Sequence, residues 1–319
     1  MTMSTPSLLI VGTLLALGFN IAPAHAQLSR TFVSAATGND ANNCDRPTPC
    51  RTFQTAHNKT NDLGEITVLD PGGYGTVTIT KSISLVNDGV GEASILVSGD
   101  SVGITIAAGS ASYINLRGIT VQGIGFGGGE GLRFQKAYSL TITYCVFRNH
   151  TGAGLDIPAI NLGKSPFNLA ITDTLIADNG VDGIGLSAND SGVKVVLTRV
   201  GVHNNSQNGI TVSAFNAGVN VAVQDSIVSN SGGDGITAFT GLGGLVDLMV
   251  IRSTTAGNRG AGVSAFGSSL ANVRVGQSTV TGNEMSWATA NGGTVSSYGD
   301  NYIDGNNDGN PAPPFIFRK

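Results

Sequence analysis

Two columns of polar residues recur along the chain at spacings that could bring them together. The first lies ten residues before a recurring glycine, and its members are Tyr144, Asp173, Arg199, Asp225, Arg252 and Gln277. The second lies directly before the glycine and contains Asp182, Asn208 and Asp234. Carboxylates placed near one another, with an arginine beside them, are residue types suited to acid–base chemistry on sugars. The candidates for catalysis are therefore Asp182, Asp225 and Asp234, with Arg199 or Arg252.

Both columns also have a structural interpretation, which we favour. If the segments stack in register, neighbouring members of the first column lie about 4.8 Å apart, and alternating acids and bases would pair with each other. Aspartate and asparagine before glycine are ordinary turn residues. The alternative is that Asp182 and Asp234, two segments apart at about 9.6 Å, act near the ~6.5–9.5 Å separation of inverting glycosidases.

One segment near the carboxyl end resembles the start of a calcium loop. Asp304, Asn306 and Asp308 fit the pattern D-x-N-x-D-G, but Phe315 stands where the closing carboxylate is required. The missing ligand favours a terminal turn over a calcium site. No cofactor is therefore expected, and calcium remains only a weak alternative.

The elements that would position these residues are internal repeats. Five segments align, each with a glycine followed by an aliphatic residue, at Gly154-Leu155, Gly183-Ile184, Gly209-Ile210, Gly235-Ile236 and Gly262-Val263. These glycines are 26 to 29 residues apart, and a sixth, weaker segment has Trp287 in place of the glycine. Each segment contains three short patches of apolar residues with the alternation of strands. A period in the mid-twenties with three strands per period is typical of a solenoid.

A run of asparagines falls in the same turn of successive segments, four or five positions before the glycine. Its members are Asn149, Asn179, Asn204, Asn205, Asn230, Asn258 and Asn283. Asparagine tolerates left-handed turns and can bond its neighbours in adjacent coils, so these residues predict a stacked asparagine ladder. With this ladder, the segments resemble the right-handed parallel β-helix repeats of the pectate-lyase-like superfamily. The resemblance implies an all-β, single-domain right-handed parallel β-helix with a short N-terminal helical cap.

The first residues of the chain predict export from the cytoplasm. An apolar run over residues 8–19 is followed by Ala24-His25-Ala26, an A-x-A cleavage site. Cys44 and Cys50 flank a short proline-rich loop, and in an oxidising compartment this pair is expected to form a disulfide. We expect a secreted, periplasmic or cell-envelope protein without a transmembrane segment in its mature part.

The domain organisation follows from these features. We expect a signal peptide over residues 1–26, a cap segment over 27–64, the β-helix over 65–310, and a C-terminal cap or tail over 311–319. The helical part of the cap is expected within residues 49–61, with Phe53 and Ala56 covering the first coil. The coil containing residues 158–169 is longer than the others by about three residues and could form a groove wall.

The residues favour a polysaccharide as partner and leave the activity open. A formal net charge of −4 argues against a nucleic-acid partner. The catalytic motifs of familiar β-helix enzymes are absent, so we favour a non-catalytic glycan-binding, surface-binding or structural protein. The alternative is a polysaccharide lyase or glycoside hydrolase, since the superfamily is rich in such enzymes.

Overall fold

The protein is described here by a computed structural model that covers residues 28–160 and 166–318. The predicted signal peptide, residues 1–26, lies outside the described residues. Within them the chain forms one helix, α1 (Phe53–Lys59), and otherwise strands joined by turns. The strands are β1 (Leu28–Val33), β2 (Thr60–Val68), β3 (Gly72–Gly73), β4 (Val77–Ile79), β5 (Ile83–Val86), β6 (Ala93–Ala107), β7 (Tyr113–Arg117), β8 (Ile119–Lys136), β9 (Ser139–Thr143), β10 (Val146–Arg148), β11 (Leu155–Ile160), β12 (Phe167–Ala177), β13 (Ile184–Ala188), β14 (Val193–His203), β15 (Ile210–Ala214), β16 (Gly218–Gln224), β17 (Ile227–Ser229), β18 (Ile236–Thr240), β19 (Leu245–Ile251), β20 (Thr254–Ala256), β21 (Ala261–Phe266), β22 (Ala271–Gly276), β23 (Thr279–Thr281), β24 (Met285–Ala290), β25 (Thr294–Ser297) and β26 (Tyr302–Ile303).

The strands form three faces of a parallel β-helix, which confirms the expected fold class. Face A contains β1, β2, β5, β7, β9, β16, β19, β22, β25 and the first halves of β12 and β14. Face B contains β3, β10, β17, β20, β23, β26, the starts of β6 and β8, and the ends of β12 and β14. Face C contains β4, β11, β13, β15, β18, β21, β24 and the ends of β6 and β8. All of these pairings are parallel, each strand lying on the equivalent strand of the next coil.

Equivalent aliphatic residues stack inside the solenoid, as the repeat alignment predicted. On face A, Leu169 pairs with Leu140 and with Val195, in the register expected from the sequence. These inward side chains are at most 4% exposed. Burying one such side chain stabilises the fold by roughly 1.5–3 kcal/mol. The repeat therefore creates one continuous core along the axis.

The sixth segment differs from its predicted alignment by one position. Trp287 pairs with Val263, so Ser286 and not Trp287 occupies the position of the recurring glycine. The turn after Asn283 is one residue shorter than the turn after Asn258, which the sequence comparison did not take into account. As a result the indole packs against the end of the hydrophobic core.

The asparagine run divides into two adjacent columns at the corner between faces B and C. Residues of the outer column have left-handed backbone, with φ between 55° and 72°: Asn149, Asp178, Asn204, Asn230, Gly257, Gly282 and Gly305. The inner column is buried and consists of His150, Asn179, Asn205, Ser231, Asn258, Asn283 and Asn306. The side-chain oxygen of Asn205 accepts the backbone N–H of Asn179 at 3.2 Å and its amide at 2.9 Å. The same two bonds join Asn258 to Asn283.

Ser231 interrupts this inner ladder. Its hydroxyl is too short to reach Asn205, so the amide of Asn205 and the hydroxyl of Ser231 are buried without a hydrogen-bond partner. A buried polar group without a partner costs about 1–3 kcal/mol. Gly209 stands beside Ser231 as Gly235 stands beside Asn258, and this leaves room for an amide.

Ser231→Asn is therefore expected to stabilise the protein by about 1 kcal/mol, because the new side chain continues the ladder. Urea unfolding followed by circular dichroism measures the difference. Ser206→Asn, at an exposed position of the equivalent turn in the preceding coil, is the control and should leave stability unchanged. A Ser231 variant no more stable than the control would mean that the ladder gap has no energetic cost.

The N-terminal end of the solenoid is closed by α1. Thr52 caps the helix by accepting the N–H of Thr55 at 3.2 Å. Phe53 and Ala56 are fully buried, and the Phe53 ring lies 5.0 Å from that of Tyr74 in the first coil. A disulfide joins Cys44 to Cys50 in the loop before the helix.

The C-terminal segment lies across the last rung of face A. Ile316 donates its backbone N–H to Ser297, and Ser297 donates to Pro314, each at 2.9 Å. Phe315 and Phe317 remain largely exposed on the outside. No helix among the described residues is long and apolar enough to cross a membrane.

Candidate functional site

The first of the two polar columns, called the charged column from here on, lies at the corner between faces A and B. Its members are Tyr144, Asp173, Arg199, Asp225, Arg252 and Gln277. Every one of its six members has left-handed backbone, with φ between 46° and 54°. A single left-handed residue turns the chain from one face to the next, at a cost of about 1–2 kcal/mol for residues other than glycine. The corner therefore requires left-handed backbone at this position, whichever side chain occupies it.

The charges of this column pair with each other. Arg199 makes a bidentate contact with Asp173 at 2.6 and 2.8 Å, and Arg252 does the same with Asp225 at 2.8 and 3.1 Å. Hydrogen bonds from the arginines hold the pKa of Asp173 and of Asp225 below the usual range of aspartate. Three of the proposed catalytic residues are thus engaged in two exposed ion pairs between adjacent coils, Arg199 with Asp173 and Arg252 with Asp225.

The second column forms a ladder of turns between faces B and C. One side-chain oxygen of Asp182, Asn208 and Asp234 accepts the N–H of the next coil, at Asn208 (2.9 Å), Asp234 (2.8 Å) and Ala261 (2.8 Å) respectively. The other oxygen of Asp234 accepts the hydroxyls of Ser264 and Thr237. Asp234 therefore uses both oxygens in holding the turns together.

Asp182 also hydrogen-bonds the side chain of Thr211, but Gly185 stands where Asp234 has Thr237, so its second oxygen faces a more open part of the molecule. It lies 3.8 Å from the point where a Cβ on Gly185 would stand, and nothing else comes within 4 Å of that point. Gly185 is in an ordinary strand conformation near the start of β13, with its missing side chain directed outward. A glycine in a strand interior often marks a close approach by another group.

Three further residues lie around this gap. On the outer side of face C, Arg133, Asp156, Gly185 and Thr211 occupy one row on consecutive coils. Arg133 contacts Glu130 through Nη2 and lies 3.5 Å from Asp156 through Nε. We call the open space above Gly185, bordered by Arg133, Asp156, Asp182 and Thr211, the notch.

The carboxyl groups around the notch have raised pKa values. Burial is the main cause for Glu130, Asp156 and Asp182 alike. Hydrogen bonding and charge from Arg133 oppose the rise for Glu130 and Asp156, whereas the charge of Asp156 adds to it for Asp182. One oxygen of Glu130 is buried without a hydrogen-bond partner. Clustered carboxyls with raised pKa values are typical of functional sites.

Aromatic side chains lie beside the notch on the same face. Phe239 is two coils further along than Gly185, pairs with Phe266 on the next coil, and is 36% exposed. The ring of Phe215 lies 6.1 Å from that of Phe239. Face C therefore presents an apolar edge about two rungs, or roughly 10 Å, from the carboxyls.

A groove of about 1090 Å³ lies on the outer side of face A beneath the C-terminal segment. It is lined by Arg274, Tyr298, Phe315 and Arg318, among others. Arg274 is paired with Asp247, and Arg318 with Asp300. Since the C-terminal segment of the chain itself forms one wall of this groove, we prefer the notch as the functional site.

The residues of the weak calcium-loop candidate, Asp304, Asn306 and Asp308, have structural partners. Asp308 accepts the backbone N–H and hydroxyl of Ser286, each at 2.8 Å, and Asn306 is the last member of the inner ladder. Asp304 accepts the N–H of Gly305 at 2.8 Å. Among the residues that the structure describes, no three His, Cys, Asp or Glu side chains are placed to share a metal ion.

Sequence reasoning found Asp182 and missed Glu130, Arg133, Asp156 and Gly185. The first two belong to the irregular coils before the aligned repeats, where the glycine-rich loop of residues 123–131 breaks the period. The sequence does contain one signal, which is Gly185. It is a glycine at an outward strand position, where the neighbouring coils have Asp156 and Thr211. The longer coil expected to form a groove wall includes residues 161–165, which lie outside the described residues.

Comparison with known proteins identifies the architecture. No protein-family model and no curated protein sequence matches the chain. Among solved structures, the crystal structure of pectate lyase Pel9A is similar with a TM-score of 0.60 and 18% sequence identity, over 84% of this chain and 74% of the lyase. The A-module of the Azotobacter vinelandii mannuronan C-5 epimerase AlgE4 gives a TM-score of 0.44 and 16% identity, over 80% of this chain and 91% of the module. The chain therefore has the parallel β-helix fold found in pectate lyase Pel9A.

Proposed function

We propose that the protein is an extracytoplasmic, non-catalytic β-helix that binds a polysaccharide at the notch on face C. The observation that carries this proposal is the open space above Gly185, which is bordered by two half-buried carboxyls and by Arg133. Binding sites bring a few polar groups together beside accessible space, as Arg133, Asp156 and Asp182 are beside Gly185. The fold shared with a pectate lyase agrees with a carbohydrate partner.

The spacing of the coils suits a polymer of sugars. Rungs repeat at about 4.8 Å along the axis, which is close to the length of one pyranose residue in an extended chain. A chain lying along face C would place one sugar at the notch and the apolar side of another near Phe239. The predicted signal peptide and the Cys44–Cys50 disulfide support a location outside the cytoplasm.

A polysaccharide lyase or glycoside hydrolase is the second candidate. It is favoured by the raised pKa values of Glu130, Asp156 and Asp182 beside Arg133, because acid catalysis needs a carboxyl that keeps its proton. Absorbance of unsaturated products and release of new reducing ends distinguish the two candidates. Turnover of any polysaccharide, abolished in Asp156→Asn, would replace the binding function with an enzymatic one.

Gly185→Val tests the location of the site. Valine suits an exposed strand position and its Cβ would meet no atom closer than 3.8 Å, so stability should be little changed while the side chain fills the notch. We expect affinity for the bound polysaccharide to fall about tenfold or more, as measured by affinity electrophoresis and calorimetry against a panel of neutral, acidic and amino polysaccharides.

The matched control is Gly218→Val, a glycine on face A with no atom within 4 Å of its missing side chain. This variant should bind like the wild type. Equal affinity in both variants would exclude the notch as the binding site. Binding of no polysaccharide by the wild type would reject the proposed function itself.

A further inference from the structure

We propose that the groove beneath the C-terminal segment is a second carbohydrate site, which binds a neutral sugar chain and discriminates against uronate chains. The groove lies on face A, and the described residues that line it include none of those around the notch on face C. The inference therefore goes beyond the proposed function. It follows from the shape of the groove, from its aromatic rings and from the pairing of its charges.

The groove is formed by the last coils of face A together with the C-terminal segment. Its floor consists of outward side chains on β19, β22 and β25, which lie on three consecutive rungs. The C-terminal segment continues this stack, because Phe315 is the parallel partner of Ser297 in β25. Gly276 and Ser296 keep the floor low between the larger side chains of β19 and of the C-terminal segment. A depression about three rung spacings long, or roughly 14 Å, results.

Two aromatic rings at the groove are positioned by glycines. A Cβ on Gly276 would lie 3.0 Å from Cδ2 of Tyr298, and a Cβ on Gly299 would lie 2.9 Å from Cε2 of Phe315. Each ring therefore packs against backbone that carries no side chain. A third ring, that of Phe317, lies 5.0 Å from Phe315 in an edge-to-face arrangement and is 82% exposed. Exposed aromatic side chains beside a concave surface are typical of ligand sites.

The rings and the polar groups beside them suit a sugar chain with apolar faces. A pyranose whose hydroxyls are equatorial has C–H groups on both faces, and these can pack on aromatic side chains. Its hydroxyls both donate and accept hydrogen bonds, so they need polar partners at the edge of the same site. The groove supplies uncharged groups of this kind in the side chains of Asn272, Gln277, Thr294 and Ser296.

The charged side chains of the groove already have partners. Arg274 donates to Asp247 at 2.9 Å, and Arg318 forms an ion pair with Asp300. These two arginines are the basic residues that line the groove within the described part of the chain. A uronate would compete with Asp247 or Asp300 for an arginine and would lie beside their negative charge. A neutral chain has no such penalty, because its hydroxyls can bond the paired groups as they stand.

The test compares three neutral hexasaccharides, cellohexaose, xylohexaose and mannohexaose, with hexagalacturonate by calorimetry on the full chain. We expect at least one neutral chain to bind about tenfold or more tightly than hexagalacturonate. Its affinity should not change with added salt, because the contacts are not ionic. Hexagalacturonate that binds as tightly as the best neutral chain, or no binding of any neutral chain, would overturn the inference.

Two aromatic residues at the same end of the solenoid locate the binding. Phe317→Ala removes an exposed ring of the groove, so affinity for the neutral chain should fall about tenfold or more. Tyr302→Ala is the matched control, because Tyr302 is 76% exposed and does not line the groove. Both variants should fold like the wild type, since neither ring is buried. Equal loss of affinity in both variants, or unchanged affinity in Phe317→Ala, would overturn the inference.

Gly185→Val separates this inference from the proposed function. It fills the notch and should leave binding of the neutral chain unchanged, because the groove lies on another face. Loss of neutral-chain binding in Gly185→Val, with Phe317→Ala unaffected, would overturn the groove and support the notch. Loss in Phe317→Ala, with no polysaccharide affected by Gly185→Val, would support the groove and reject the notch. Binding of no polysaccharide by the folded wild type would overturn both.

Discussion

Gly209→Ala is expected to destabilise the protein by about 3 kcal/mol, because the added methyl group has no space between two coils. A Cβ at this position would contact Val228 Cγ1 and would lie 2.6 Å from the carbonyl oxygen of Gly235. The backbone of Gly209 has no left-handed torsion, so the penalty is steric and not conformational. Neither the carbonyl nor the buried valine can move without disturbing the neighbouring coil.

The same clash recurs along the column of glycines, which explains why the repeat keeps this residue. A Cβ on Gly154, Gly183 or Gly235 would lie 2.6 to 2.8 Å from the carbonyl oxygen of the next glycine in the column. Adjacent coils approach each other at the rung spacing of about 4.8 Å, and the corner has no room for a side chain. The recurring glycine is therefore a packing requirement of the turn after the asparagine ladder.

Urea unfolding of Gly209→Ala, followed by circular dichroism in the far ultraviolet, measures the effect. Gly218→Ala is the matched control, because nothing lies within 4 Å of its missing side chain. It should be as stable as the wild type or slightly more stable, since alanine restricts the unfolded chain. If the two variants had the same midpoint, the close stacking of coils at the glycine column would be disproved.

The fold could be predicted from the sequence because the repeat reports directly on packing. Leu140, Leu169, Val195 and Val221 recur at intervals that only a stacked coil explains, and the structure places them on consecutive rungs. The hydrophobic pattern fixes which residues face inward, and parallel stacking fixes which residues become neighbours.

The details of the corner turns could not be predicted in the same way. Asparagine suits both the left-handed outer position, as at Asn204, and the buried ladder position, as at Asn205. Composition alone cannot distinguish the outer position from the ladder position, because the two are adjacent in the sequence. Which residue takes which position depends on where each strand ends. Asn149 and Asn230 therefore belong to the outer column, and the ladder positions that follow them are held by His150 and Ser231.

The candidate site was predictable only in part, because its residues come from coils of different regularity. Asp182 lies in an aligned repeat and was found, but it was grouped with Asp225 and Asp234, which the structure commits to an ion pair and to a turn. Asp156 approaches Asp182, and Glu130 approaches Asp156, because their coils stack, and the alignment did not reach the coil of Glu130. Burial and contact between coils, which raise the pKa values at the notch, are not visible in a single sequence.

His150 provides a second large effect, which depends on pH. It holds the first position of the inner ladder, is 2% exposed, and has a ring nitrogen, Nδ1, without a hydrogen-bond partner. Its backbone N–H donates to the side-chain oxygen of Asn179 at 3.3 Å. Burial lowers its pKa from 6.5 to about 4, with partial opposition from a hydrogen bond to the carbonyl of Val121.

The direction of the pH dependence follows from proton binding. Between pH 6.5 and about 4 the unfolded chain binds a proton at His150 that the folded protein does not. The free energy of unfolding must therefore fall as the pH decreases through this range, by up to about 3 kcal/mol from this residue. His57 and His203 also have lowered pKa values and contribute in the same direction.

His150→Asn is expected to remove the part of this pH dependence that belongs to His150. Asparagine does not titrate, and Gly131 stands beside position 150 as Gly154 stands beside Asn179, so the amide can donate to Asn179 as the rest of the ladder does. Near neutral pH the variant should match the wild type, whereas near pH 4 it should be more stable by about 3 kcal/mol. The measurement is the free energy of unfolding in urea at each pH, for the wild type and the variant. Since His57, His203 and the carboxylates are unchanged, the difference between the two pH dependences is due to residue 150. Curves that stay parallel from neutral pH to pH 4 would show that the imidazole is not held neutral in the folded protein, and the ladder would then begin at a charged residue.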